Sequence, residues 1–447
     1  MNKALTFVAA AAALMLSAGA ALAQTIAVTN GRVLTGSGEI ARGTVVIQNG
    51  RISAVGADVT VPSGAQVIDA RGGVITPGFV AVDSGLSAIE VSALTDTNDV
   101  RQSSNSLSAA FDVSWGLDPD SFVIPVTRLG GVTRAIVTPQ HPGSSGAHVH
   151  EEDTAGIGEG GLHTPGLFAG QAAVIHLAQG TDILVEPRVA MVAPFGDAGA
   201  GVAGGARGAE FTLFREILRE VRLYARNRAA YDRGDLRELQ LSRADLEALI
   251  PVVEGRMPLI VTVHRASDIR NVLRLAEEEN LDIILDGAEE GWRVAAEIAA
   301  ADVPVLINPL DNLPSSFEVR GATMENAARL HAAGVLIAIK GNEGSVHRAR
   351  EARYNAGNAV AHGLPFLAAI EALTVNPARI FGQEDRFGAL RPGLEADVVV
   401  WTGDPLEPLS QPIAVIIRGQ PQDLNSRALE LRDRYLRREP MPQAYGN

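Results

Sequence analysis

Residues 74–91, VITPGFVAVDSGLSAIEV, constrain the chain more than any other stretch. A Thr76-Pro77-Gly78 turn leads into an apolar run at 79–82, which stops at Asp83-Ser84-Gly85. A short continuous run without alternation is apolar on both faces, as a strand covered on both sides of a parallel sheet must be. The preceding residues carry short alternating strands, and long helix-and-strand alternation follows. That order predicts an α/β chain: a TIM-like (β/α)8 barrel opening at this run, with chemistry at the C-terminal ends of its strands.

The flanks predict the rest of the architecture. Residues 25–70 read as short strands, TIAVTNGRVLT, GTVVIQNGRISAVG and AQVIDA, with Asn49-Gly50 a strong two-residue hairpin signal. Alone they have too few strands to bury a face. Their complement lies at 388–419, in GALRP, ADVVVWT and AVIIRG. Both terminal regions are therefore expected to build one small β-sandwich domain. Between them, 132–139 reads as the second barrel strand and 188–196 as another. Ser242-Arg-Ala-Asp-Leu-Glu reads as a capped helix start. Strand–helix units begin at 259, 281, 303 and 335. The expected division is a signal peptide at 1–23, β-sandwich at 24–73 and 385–420, barrel at 74–384 with a flexible insertion at 140–165, and a tail at 421–447.

The first residues, MNKALTFVAAAAALMLSAGAALAQ, have the charged start, apolar core and Ala-Leu-Ala site of a secretory signal. Export, to a bacterial periplasm, and a mature chain starting near Gln24 are expected. The chain has no cysteine, which excludes a disulfide framework and a thiolate nucleophile or zinc ligand. Its formal charge of −14, without a basic run, gives no footprint for nucleic acid. No second apolar run reaches the roughly 20 residues of a membrane span.

The phrase GALRPGLEADVVVWTGDPLE, the TPGF turn and the strand end VTVHRASDI resemble the amidohydrolase superfamily, specifically its imidazolonepropionase-like branch. The resemblance implies a hydrolase acting on non-peptide carbon–nitrogen bonds. It also implies a divalent metal held by two histidines of strand one, one each from strands five and six, and an aspartate after strand eight. Laid on this chain, the strand-one pair falls on Asp83 and Gly85, the strand-six histidine on Gly287 and the strand-eight aspartate on Asn342. On strand five, His264 and Thr262 stand at the two histidine positions, and either one marks the usual ligand.

The candidate catalytic residues are therefore Asp83, His264, Lys340 and Asn342. Asp83 and His264 are weak metal candidates, as are His148 and His150 in the acid-rich insertion. Mixed imidazole and carboxylate donors suit zinc, copper or nickel. No cofactor is expected, unless a single divalent metal such as zinc binds. Lys340 is the only lysine after Lys3 and shares strand parity with residue 342. Its ammonium either substitutes for the metal, within reach of Asp83 or Asp286, or snorkels to the barrel mouth. His264 and Asp83 likewise have structural readings, as a hydrogen-bonded histidine beneath a loop and as a turn cap. Two functions follow: a hydrolase with a degenerate metal site, or a non-catalytic descendant that binds a small ligand or a partner subunit in the old pocket. An oligomer or a homologous paired subunit is compatible with either.

Overall fold

A computed structural model describes residues 25–102, 107–141, 166–341 and 346–436 of the 447. The expected signal at 1–23, nearly all of the expected insertion with His148 and His150, Asn342, and the last eleven positions lie outside the described residues.

The terminal regions share one hydrogen-bonded sheet. It is built from β1 (Ile26–Leu34), β2 (Glu39–Gln48), β3 (Arg51–Gly56), β4 (Gln66–Asp69) and β5 (Val74–Pro77) of the first region. After a gap of more than three hundred residues come β14 (Val398–Trp401), β15 (Pro412–Ile417) and β16 (Gln420–Pro421). The order is β16-β15-β14-β5-β1-β2-β3, with β4 alongside β1. The hairpin forms at Asn49-Gly50, both with positive φ, as a turn matched to strand twist requires. β5 pairs with β14 and β1, so residues 74–77 belong to this sheet and the barrel begins one residue after the turn. A core of Ile26, Val28, Val45, Ile75, Val398 and Ile416 fills its covered face.

The second sheet is the nearly closed barrel. Its strands are β6 (Phe79–Ser84), β7 (Val132–Val137), β8 (Gly170–His176), β9 (Leu184–Pro194), β10 (Leu259–Val263), β11 (Ile283–Gly287), β12 (Val305–Ile307) and β13 (Ile337–Ile339). They lie side by side in chain order, which leaves β6 and β13 as the two ends. One departure from the expected all-parallel barrel stands out: β8 runs antiparallel to both neighbours. Parallel neighbours need a connection that carries the chain back across the barrel. Here His141 Nε2 and the Gly166 carbonyl, at the two edges of the insertion, are 2.9 Å apart. The chain therefore re-enters near where it left, and β8 can only descend.

Helices pack outside. The longest, Arg207–Arg226, turns Phe214, Ile217, Leu218 and Val221 inward at helical spacing. The helix Arg243–Val253 starts on Ser242, whose side chain accepts from the Asp245 N–H at 3.2 Å, as its sequence predicts. Within the Gly- and Ala-rich stretch that follows β9, residues Asp197–Val202 form a short helix. Among the described residues no helix is long and apolar enough to cross a membrane.

Candidate active site

Strand parity decides which side chains enter the barrel. Val80, Val82, Ile136, Ile260, Ile284, Leu306 and Ala338 form the interior cluster. Side chains alternate along a strand, so two residues further on the inward positions are Thr138, Thr262, Asp286, Asn308 and Lys340. Asp83 has the opposite parity to Val80 and Val82. The pairing of β6 with β7 slips between Ala81 and Ser84, and Asp83 adopts φ +50°. That irregularity re-aims its carboxylate inward, the use to which bulges near sites are often put.

The result is a buried triad. Lys340 Nζ donates to Asp286 Oδ1 at 2.5 Å and to Asp83 Oδ2 at 3.0 Å. The remaining carboxylate oxygens accept from hydroxyls: Thr138 to Asp83 Oδ1 at 2.7 Å and Thr262 to Asp286 Oδ2 at 3.2 Å. The lysine side chain is 2% exposed, so it does not snorkel to solvent. Its backbone is held by its own N–H on the Ile307 carbonyl and by Asn355 Nδ2 on its carbonyl. Burial raises the Asp286 carboxyl to about 6, helped by the Asp83 charge and opposed by Lys340.

Beside the triad, His264 Nδ1 meets Glu289 Oε2 at 2.6 Å. Burial works against the charged imidazole, but the charge and hydrogen bond of Glu289 outweigh it and lift His264 to about 9. Burial pushes Glu289 up, and His264 overrides it and holds the acid below its ordinary range. The imidazole side chain remains 27% exposed and Asp83 19%, against 6% for Asp286. The face open to a ligand is therefore His264 and Asp83, with Lys340 and Asp286 beneath. Further around the mouth, Arg207 bridges Asp268, Glu318 and Asp197. Glu210 lies fully buried nearby, raised by burial to about 8.

The geometry brings together Asp83, His264 and Lys340. Sequence reasoning missed Glu289, Thr138 and the Arg207 cluster. Thr138 had a signal, since it ends a barrel strand on the inward parity. Glu289 had none, because it follows β11 in an irregular turn where Gly287 and Ala288 both have positive φ.

The residues present do not fit the metal that the resemblance implies. A zinc site takes about four donors, at least three from protein. Two of the expected donor positions are glycines whose space is filled. A Cβ on Gly85 would collide with Ile89 Cδ1, and one on Gly287 would stand 2.6 Å from His264 Nδ1. The two carboxylates already share an ammonium, and the one histidine uses a ring nitrogen on Glu289. Among the described residues no group of three or more His, Asp or Glu is placed to hold an ion.

Comparison with known proteins agrees with the architecture. Residues 237–422 match the amidohydrolase family. A curated relative, the amidohydrolase TasK of Hapsidospora irregularis, is 24% identical over 408 residues, 85% of this chain; the chain spans only 40% of that relative's length. The crystal structure of an amidohydrolase from Thermotoga maritima MSB8 superposes with a TM-score of 0.74 at 25% identity, over 89% of this chain and 99% of that one. Molinate hydrolase shares the fold with a TM-score of 0.50 at 16% identity, over 95% and 98%. The amidohydrolase family match runs through the second half of the barrel into β14–β16, and the barrel with its terminal sheet is similar in fold to the Thermotoga amidohydrolase.

Proposed function

We propose that this chain is an exported hydrolase acting on a non-peptide carbon–nitrogen bond of a small polar molecule. The observation that carries this reading is the His264–Glu289 pair set beside Asp83 at the mouth of an amidohydrolase barrel. With Nδ1 bonded to Glu289, an imidazolium charged up to about 9 offers Nε2–H to a carbonyl oxygen, where negative charge develops during attack. Asp83, the more exposed carboxylate of the triad, is the group placed to take a proton from water. The TPGF turn and VTVHRASDI support placement in the imidazolonepropionase-like branch, and the first 23 residues support export.

A second reading, a barrel that binds a small ligand without turnover, is favoured by one observation. All four oxygens of Asp83 and Asp286 are already engaged by Lys340, Thr138 and Thr262. The test is to incubate the mature protein with linear and cyclic amides and follow cleavage by mass spectrometry, beside His264→Gln. Cleavage lost in His264→Gln supports the hydrolase. Saturable binding without cleavage by the unaltered protein selects the second reading. Mass spectrometry of the exported protein should find its N-terminus at Gln24 or a near neighbour, and an intact Met1 refutes export.

A further inference from the structure

We propose that the Lys340 ammonium is the permanent cation of the barrel mouth, standing where the superfamily resemblance places a metal and stapling the open seam of the barrel. The barrel sheet ends at β6 on one side and β13 on the other. Lys340 directly follows β13, Asp83 lies in β6 and Asp286 in β11. One ammonium at 3.0 and 2.5 Å from the two carboxylates therefore ties both edge strands to a third strand.

Three observations make this more than a chance surface pair. The lysine is buried and its backbone is fixed from two sides, so little freedom is lost in forming the bonds. The outer carboxylate oxygens are held by Thr138 and Thr262, which complete the hydrogen bonding a buried charge requires. The positions of the absent histidines are filled by Ile89 and by the His264–Glu289 pair, so the pocket is repacked around the ammonium. A lysine is not in general use in this chain: Lys3 and Lys340 stand against 36 arginines, 38 basic residues less two. An arginine fork would be larger and planar, whereas a compact ammonium donates in three directions from a point.

The inference does not depend on turnover, and neither does its test. The full mature chain is analysed for metal by mass spectrometry and melted with and without a strong chelator. Lys340→Met and the charge-neutral triple Asp83→Asn, Lys340→Met, Asp286→Asn are melted alongside. Expected results are sub-stoichiometric metal, no chelator effect, a melting temperature several degrees lower in Lys340→Met, and recovery of most of that loss in the triple. If the single variant does not accumulate, folded triple variant carries the same result. About one metal per chain whose removal lowers the melting temperature overturns the proposal. So does a triple variant that melts no higher than Lys340→Met, or that fails to fold alongside it.

Discussion

Among the described residues, Arg134 and Lys340 are buried cations that each sit between two carboxylates, and the two sites are built differently. At the joint between barrel and terminal sheet, Arg134 of β7 donates to Asp397 at 2.6 Å and Glu395 at 2.7 Å. Its guanidinium lies 4.6 Å from the centroid of the Phe387 ring. At the mouth, Lys340 takes Asp83 and Asp286. The arginine fork fixes direction as well as charge, and its aromatic shelf leaves no solvent-facing side. Arg134 holds Glu395 below its ordinary range against the pull of burial. At the mouth, by contrast, burial and the Asp83 charge prevail over the lysine and leave Asp286 near 6. The joint is electrostatically settled, whereas the mouth keeps an acid that titrates near neutrality under a partly exposed imidazole. Structural ion sites and functional ones can share composition and still differ in this way.

The comparison breaks most severely at the joint. Arg134→Met strands two carboxylates between sheet and barrel, and we expect a loss of about 3–5 kcal/mol in urea unfolding. A loss under about 1 kcal/mol would mean that the joint is held by apolar packing such as Phe79 on Trp401. At the mouth, Gly287→His restores a residue that the resemblance expects. We expect it to cost about 2–3 kcal/mol and to bring no metal, because φ is +87° and the Cβ meets His264. Stoichiometric zinc in a stably folded Gly287→His protein would contradict the repacked mouth.

The pH response should separate the two regions more finely. His264 is raised from 6.5 to about 9, so its contribution is full below about 6.5 and is lost as pH rises through 9. Glu289, Glu318 and Asp286 face it and all favour the charged ring. His264→Gln should flatten this alkaline limb, removing roughly 1–3 kcal/mol at pH 7, while Arg134→Met leaves that limb in place and instead alters the acid side, where Glu395 loses the charge that holds it down. Glu210 adds a second alkaline loss. Its protonated form is favoured, so its contribution is full below about 4.5 and falls as pH rises through about 8; Glu210→Gln should remove that step alone. The smallest effect is a control outside both clusters. Ser242→Ala removes a helix cap and should cost about 1 kcal/mol at every pH.

Much of the mouth was legible on one-dimensional grounds. Parity carried from the apolar runs places Thr262, Asp286 and Lys340 inside, since each follows an inward Ile260, Ile284 or Ala338 by two residues. The same rule points Asp83 outward, and only the slipped register of β6 against β7 reverses it. The descending direction of β8 was also hidden, because antiparallel and parallel strands buried on both faces carry the same apolar pattern. It follows instead from the two edges of the insertion meeting at His141 and Gly166.

The sequence by itself determined the class of fold, the split terminal sheet, the Asn49-Gly50 hairpin, the Ser242 cap and the absence of the expected histidines. These are properties of short windows, where propensity, periodicity and turn chemistry act between near neighbours. Only the tertiary structure decided that Lys340 meets Asp83, 257 positions away, that His264 turns to Glu289, and that Ile89 fills the space over Gly85. Those contacts arise where separate strands end together around a barrel. Their partners are chosen by register and packing, to which no local pattern in the chain corresponds.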